Sequence, residues 1–125
     1  MKIFFILVVV LFFLSLPPAL SYGGDPEIIA PGYKIEKFIT GLNVPIALDF
    51  IDDDIFVIQK NDGMVRLIQN DILQDQPILN LEVSNYGEQG LLGIATTDDK
   101  IYLFVSEAFH DGGISLGNKI SVIDS

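Results

Sequence analysis

Short apolar runs separated by turn residues occupy most of the chain after residue 32. The clearest runs are residues 46–50, 55–58, 64–68, 91–97, 101–105 and 119–123. Turn signals recur about every 8–12 residues, which is typical of antiparallel all-β proteins. The pair Asp62-Gly63 lies between two β-rich runs and is the strongest hairpin signal. No window shows the apolar period of a helix. The pattern therefore predicts an all-β fold.

Two further segments extend this prediction. Residues 33–39 (YKIEKFI) alternate with period two, and residues 78–83 (ILNLEV) add a fourth strand to the meander of residues 46–68. Four strands in about 40 residues is the size of one propeller blade, and a second blade would begin at Leu91. Strand spacing does not separate this architecture from a small sandwich or barrel, so both interpretations stay open.

The first 21 residues have the layout of a secretory signal peptide. Lys2 precedes the apolar run of residues 3–16, two prolines follow, and Ala19 and Ser21 place small residues before a cleavage site after Ser21. The alternative is an uncleaved membrane anchor, although 14 residues of helix span only about 21 Å. Export to a secreted or extracytoplasmic location is expected, with contact to the membrane only through this segment if it stays uncleaved. Residues 22–32 are rich in Gly and Pro and predict an extended leader.

Composition removes several classes of function. Residues 1–21 contain one base and no acid, so the remaining residues, about 104 of the 125, carry six Lys and Arg against 17 Asp and Glu, a net charge of −11. This charge argues against nucleic-acid binding, which needs clustered Lys and Arg. With no Cys and a single His, disulfides, thiolate zinc sites and multi-histidine metal sites are excluded.

Three segments in this order resemble the N-terminal part of the glucose/sorbosone dehydrogenase family. They are residues 41–50 (GLNVPIALDF), the hairpin of residues 55–68, and residues 87–95 (GEQGLLGIA). The similarity extends over about residues 33–124. It implies a six-bladed β-propeller, of which residues 33–125 would form the first one or two blades. Members of the family are secreted PQQ-dependent enzymes that use calcium and oxidise an aldose sugar to its lactone, passing electrons to an external acceptor.

The resemblance assigns few functional residues to this chain. It implies that Glu88 and Gln89, which precede the GLLG segment, contact PQQ; the alternative is that the segment is a structural loop and Glu88 a solvated acid. Gly87, Gly90 and Gly93 would let the backbone turn tightly. No catalytic residue and no metal ligand is assigned, because the family's catalytic base lies in a later blade. His110, in a Gly-rich loop, is expected to be a solvated turn residue.

Two remaining patterns are interpreted as loops. The acidic residues 52–54 lack the spacing of a calcium loop and predict a charged hairpin turn. Residues 112–117 lack the spacing of a phosphate-binding loop.

The length of the chain sets the functional expectation. At about 40 residues per blade, the residues after the signal peptide supply at most two blades of a propeller. The chain alone is therefore expected to be inactive, and to be poorly soluble because an open pair of blades exposes edge strands and apolar faces. The alternative function is a non-catalytic extracellular β-propeller module that binds a protein or a glycan.

Overall fold

A computed structural model describes residues 26–124, so the predicted signal peptide lies outside the described residues. The chain divides into two units, with the boundary after Glu36. In the first unit, the described residues 26–36 are exposed and contain no strand. The second unit contains all eight described strands, grouped in two antiparallel sheets, and the described residues include no helix. The prediction of an all-β fold is confirmed.

The first sheet is a meander whose outer edge is divided. Its strands are β1 (Pro45–Ile51), β2 (Asp54–Gln59), β3 (Met64–Gln69), β4 (Ile72–Leu73) and β5 (Leu79–Asn80). The order is β1-β2-β3-β4, and β5 also pairs with β3. The predicted hairpin at Asp62-Gly63 joins β2 to β3 and is confirmed. Asn70 and Asp71 both have positive φ, 52° and 62°, which is the geometry of a type I′ turn between β3 and β4.

The second sheet has three strands in sequence order. They are β6 (Leu91–Thr96), β7 (Lys100–Glu107) and β8 (Gly117–Asp124). These are the strands predicted from residues 91–97, 101–105 and 119–123. Within the described residues, β8 is an edge strand whose outer side has no partner.

One face of each sheet packs against the other sheet and forms the core. The fully buried side chains include Ile58 and Val65 of the first sheet and Leu91, Ile101 and Leu103 of the second. Alternate residues on each strand point away from this core, as the period of a strand requires. We call the two packed surfaces the inward faces and the opposite surfaces the outward faces.

A polar link also joins the sheets, between β1 and β6. The Asp49 carboxylate accepts the backbone N–H of Phe50 at 2.9 Å and that of Thr96 at 2.8 Å, and the Thr96 hydroxyl donates to the Phe50 carbonyl at 2.7 Å. The Phe50 N–H, followed by the Thr96 groups, lowers the pKa of Asp49, against an opposing effect of burial. The charged form of Asp49 therefore stabilises the packing of the two sheets.

The two sheets repeat one pattern, and this repeat is visible only once the register is known. In β1 and β2, Ala47 pairs with Ile58 and Asp49 with Phe56; 46 residues later, Gly93 pairs with Phe104 and Ala95 with Tyr102. The third strands follow the same scheme, since Val65 and Leu67 correspond to Ile120 and Val122. The acidic turn at residues 52–53 corresponds to residues 98–99. The first three strands of the first sheet and the three strands of the second thus follow one pattern of pairing.

Equivalent residues do not face the same partner. Phe56 lies on the inward face of the first sheet, whereas its equivalent, Tyr102, lies on the outward face of the second. Conversely, Leu48 lies on the outward face of the first sheet, whereas its equivalent, Ile94, packs against the core. This exchange is expected of units that stack one behind the other in the same orientation, because the front of one then covers the back of the next.

One prediction about a strand is wrong, and another is confirmed only in part. Residues 33–39 form no strand, because no strand among the described residues pairs with them; Tyr33 and Ile35 are 77% and 60% exposed. The fourth strand predicted at residues 78–83 is reduced to β5, and Val83 instead forms an isolated bridge with Glu107 of β7. Pro77, which lacks an N–H, interrupts the outer edge before β5.

Candidate functional site

Three loops meet at one end of the two sheets. They are the hairpin of residues 60–63, the loop of residues 84–90 and the loop of residues 108–116, which together we call the polar end. The GEQG sequence lies in the second loop, directly before β6. The polar end thus brings together the family-like segment, the hairpin of the first sheet and the only histidine.

A buried amide organises the hairpin at the polar end. Gln59 is 1% exposed; its Oε1 accepts the backbone N–H of Asn43 at 2.9 Å and its Nε2 donates to Asp62 Oδ2 at 2.8 Å. Asn43 Nδ2 donates to the same carboxylate oxygen at 2.9 Å. Since a buried amide without partners would destabilise the fold, this network explains how Gln59 is accommodated.

The approach to β1 contains a strained residue. Val44 has φ of 45°, a region that β-branched residues rarely occupy. Its carbonyl accepts the backbone N–H of Lys60 at 3.0 Å, and the preceding residue, Asn43, contacts Gln59 and Asp62. Hydrogen bonds of Asn43 and of the Val44 carbonyl with the hairpin therefore stabilise the unfavourable backbone conformation of Val44.

Gly90 fixes the GEQG loop against the hairpin. Its φ is 147°, and a Cβ at this position would lie 2.4 Å from the Lys60 carbonyl oxygen. That same carbonyl accepts the N–H of Leu91 at 3.0 Å, and the Lys60 ammonium donates to the Gly87 carbonyl. The group that Gly90 approaches closely is the backbone of the neighbouring sheet. Gly87 has φ of 60° and open space around it, while Gly93 is part of β6.

An open cavity of about 440 Å³ lies between the second and third loops. Its lining consists of uncharged residues: Ser84, Tyr86, Gln89, Gly112, Gly113, Ile114 and Ser115. Ser84 is fully buried and its hydroxyl donates to Gln89 Oε1. The Gln89 Nε2 has no acceptor among the described residues and is free to donate to a bound molecule. The cavity therefore offers amide and hydroxyl groups beside the ring of Tyr86, which is 86% exposed.

The structure separates the two residues predicted to contact a cofactor. Gln89 lines the cavity and is half-buried, whereas Glu88 is exposed and does not belong to the lining. Since they are neighbours on one loop, a ligand in the cavity would contact the Gln89 side chain first. The position of Gln89 follows from its bond to Ser84, a contact that the local sequence pattern does not indicate.

His110 lies at the surface of the third loop. Its Nδ1 is 3.2 Å from the Asp111 carbonyl oxygen, and its own carbonyl accepts the N–H of Gly113 at 2.9 Å. Asp111 Oδ1 accepts the N–H of Val83 at 3.1 Å and so ties the loop to the second one. The structure thus places His110 in a turn, outside the residues that line the cavity.

The acidic segment of residues 52–54 lies apart from the polar end. Residues 52 and 53 form the predicted turn between β1 and β2, at the opposite end of the sheet, and Asp54 begins β2. Asp54 accepts a hydrogen bond from the Gln69 amide at 2.9 Å. Among residues 26–124, no three His or acidic side chains are grouped in a way that could hold a metal ion. The same residues include no helix long and apolar enough to cross a membrane.

The comparisons with known proteins give no family assignment. No protein-family model, no curated protein and no solved structure matches this chain. The arrangement of the polar end itself therefore carries the functional interpretation.

Three organising residues of the polar end are not predicted from the sequence. Lys60, Ser84 and Gln59 organise the loops through contacts over 5 to 27 positions in the chain. One signal could have identified Gln59, because a glutamine that ends a buried apolar strand must find hydrogen-bond partners. Ser84 and Lys60 carry no comparable signal, since both residue types are common in exposed loops.

Proposed function

We propose that the chain forms the first two blades of a secreted β-propeller of the glucose/sorbosone dehydrogenase type. The observation that carries the proposal is the place of the GEQGLLGIA segment in the repeat. Its GEQG part connects the first sheet to the second and packs on the hairpin through Gly90, and its remainder is the first strand of the second sheet. A unit of 46 residues that recurs as an antiparallel sheet agrees with the size of a propeller blade.

The proposed activity is oxidation of an aldose to its lactone, with PQQ as oxidant and an external acceptor for the electrons. In such an enzyme the cofactor supplies the redox chemistry, and the protein binds and orients the reactants. The part that we assign to this chain is one wall of the site. There Gln89, held by Ser84, donates a hydrogen bond to a bound molecule, and Lys60 fixes the loop that carries it.

The described residues do not by themselves fit PQQ or calcium. PQQ is an anionic carboxylate, yet no cation lines the cavity, and the nearby Glu88 and Asp111 would repel it. Calcium needs several oxygen ligands, and no group of three acids is present among residues 26–124. The proposal therefore places the residues that hold PQQ and calcium in other blades of the propeller.

The test is dye reduction by the full-length gene product. We expect that protein incubated with PQQ and calcium chloride reduces a redox dye when aldoses are added, and that Gln89→Ala raises the KM for the sugar more than the matched variant Glu88→Ala. Absence of dye reduction with any aldose, together with no quenching of PQQ fluorescence, would exclude the dehydrogenase.

A binding module without catalysis is the second candidate, and the uncharged lining of the cavity favours it. Hydroxyl and amide groups beside an exposed tyrosine suit a neutral glycan better than an anionic cofactor. Binding of monosaccharides or oligosaccharides that Gln89→Ala weakens, without dye reduction, would support this candidate over the enzyme.

Export through residues 1–21 is part of the proposal. Mass spectrometry of the exported protein should find Tyr22 at its N-terminus. A mature protein that begins at Met1 and stays with the membrane fraction would instead indicate an anchor.

A further inference from the structure

The cavity of the polar end presents hydrogen-bond donors to a ligand. Because the Ser84 hydroxyl donates to Gln89 Oε1, the free end of this amide is the donor group Nε2. The Ser115 Oγ accepts the Gly117 N–H at 3.2 Å and donates to no group among residues 26–124, so its hydroxyl hydrogen is also available. Both Gln89 and Ser115 line the cavity. A ligand that satisfies them carries an oxygen that accepts hydrogen bonds.

Charge narrows the class of ligand further. Among the residues that the structure describes, no carboxylate and no cationic side chain lines the cavity, so it offers no partner for an ammonium or a carboxylate group. Glu88 and Asp111 are the sequence neighbours of the lining residues Gln89 and Gly112, and both would repel an anionic sugar such as a uronic acid. The cavity therefore suits a neutral acceptor group.

Two large apolar side chains border the same cavity. Tyr86 belongs to the second loop and Ile114 to the third, and they are 86% and 91% exposed. Ligand cavities combine apolar walls with a few well-placed polar groups, and apolar side chains exposed beside them mark contact surfaces. A ligand that fits this cavity therefore carries a small apolar group beside its acceptor oxygen.

Hydrogen bonds fix the two loops against each other before any ligand binds. Asp111 Oδ1 accepts the Val83 N–H at 3.1 Å, and the Gly112 N–H donates to the Val83 carbonyl at 2.9 Å. Gly113 is buried against His110, and a Cβ at this position would lie 2.9 Å from the His110 carbonyl oxygen. Since both walls are already in place, binding requires little further ordering of the protein.

We propose that this cavity binds the acetamido group of an N-acetylated amino sugar, which joins a strong acceptor oxygen to a methyl group. The carbonyl oxygen accepts from Gln89 Nε2, and the methyl group packs against Tyr86 and Ile114. The inference rests on the proposed function only in taking the ligand to be a sugar, and it names the class of aldose. An acetamido group at C2 is next to the anomeric carbon, so a site that holds it also positions the carbon that the proposed activity oxidises.

The test compares sugars that differ only in this substituent. The exported full-length gene product, without added PQQ, is titrated by isothermal calorimetry with N-acetylglucosamine, glucose and glucosamine. We expect N-acetylglucosamine to bind about tenfold more tightly than the other two, because neither of them supplies both the acceptor oxygen and the methyl group. Equal affinities for the three sugars, or no binding of any, would overturn the proposal.

Substitutions in the cavity separate the donor from the apolar contact. Gln89→Glu keeps the shape of the side chain but replaces the free donor by an acceptor oxygen, so it should remove the preference for N-acetylglucosamine. Tyr86→Ala should weaken the binding of this sugar, whereas Tyr86→Phe should keep it, because the ring makes the contact. The matched control is Glu88→Gln, at the neighbouring exposed residue, which should leave all three affinities unchanged.

The Tyr86 variants also keep the test informative if Gln89→Glu fails to fold by circular dichroism, because Tyr86 is exposed. An unaltered preference for N-acetylglucosamine in Tyr86→Ala or in a folded Gln89→Glu would overturn the proposal.

Calorimetry and dye reduction distinguish this inference from the proposed function. Selective binding of N-acetylglucosamine without dye reduction in the presence of PQQ and calcium chloride would support the acetamido site and exclude the dehydrogenase. Dye reduction with glucose, together with no preference for the acetamido sugar, would leave the dehydrogenase in place and overturn the acetamido site.

Discussion

At the scale of single residues, Gly90 is a position where the geometry of the polar end requires the absence of a side chain. A methyl group there would meet the Lys60 carbonyl at 2.4 Å, and φ of 147° is itself unfavourable for other residues. We expect Gly90→Ala to lower the free energy of unfolding by about 2–3 kcal/mol, measured by urea denaturation.

Gly117 offers the matched control for this substitution. It has φ of 137°, but a methyl group added there would have no atom within 4 Å, so Gly117→Ala costs only the backbone strain. The difference between the two variants then measures the close contact with Lys60. Equal destabilisation by both variants would show that the contact contributes nothing.

Val44 gives a prediction of opposite sign. Its φ of 45° is unfavourable for a β-branched residue but acceptable for asparagine. Because Val44 is 43% exposed, little packing is lost on substitution. We expect Val44→Asn to raise the free energy of unfolding by about 1 kcal/mol, measured by thermal or urea denaturation. A loss of stability would indicate that the valine side chain contributes contacts that outweigh the strain.

At the scale of the strands, the link between β1 and β6 makes the packing of the sheets depend on pH. The pKa of Asp49 is lowered in the folded state, so its contribution to stability is complete above the pKa of about 3.9 of an unfolded aspartate and is lost as the pH falls through the lower folded pKa. We expect Asp49→Asn to be less stable than the unmodified chain at pH 6, and this difference to disappear at low pH.

Urea denaturation of both proteins between pH 6 and pH 2 measures this effect. Asp53→Asn is a suitable control, because Asp53 is exposed in the turn and its carboxylate accepts no hydrogen bond in the described structure. If the difference between Asp49→Asn and the unmodified chain stays constant over this range, the ionised carboxylate is not what joins the strands.

The strands show how far the sequence alone predicts this fold. The six main strands and the hairpin at Asp62-Gly63 follow from apolar runs and turn residues, since both are local signals. Residues 33–39 have an equally good alternating pattern, yet they form no strand, because a strand also requires a partner edge that a local pattern cannot supply. The divided edge of the first sheet is unpredictable for the same reason.

The candidate site shows the same limit. Gln89 belongs to a recognisable sequence segment, but its side chain lies in the cavity because Ser84 donates a hydrogen bond to it. The position of the whole loop depends in turn on Lys60, which donates to the Gly87 carbonyl from 27 residues earlier in the chain. The repeat of 46 residues is likewise not predicted from the sequence, because equivalent positions such as Asp49 and Ala95 have the same place in the strand register but different residue types.

At the scale of the whole molecule, the first three strands of each sheet repeat one pattern of pairing, and both sheets carry apolar side chains on their outward faces. This accounts for a continuous apolar strand such as β7, which has Ile101 and Leu103 on one face and Tyr102 and Phe104 on the other. Strands of this composition are typical of sheets that are covered on both sides. Among residues 26–124, the acidic residues other than Asp49 are confined to turns, loops and strand ends.

The most direct measurement of this claim is a disulfide within the chain between positions 49 and 96, where the two sheets meet. The chain has no cysteine, so the double variant Asp49→Cys/Thr96→Cys carries only the two introduced thiols. On oxidation we expect the monomer to lose both free thiols, because the Thr96 N–H lies 2.8 Å from the Asp49 carboxylate in the packed sheets. Free thiols that persist in the folded monomer would contradict the packing of β1 against β6.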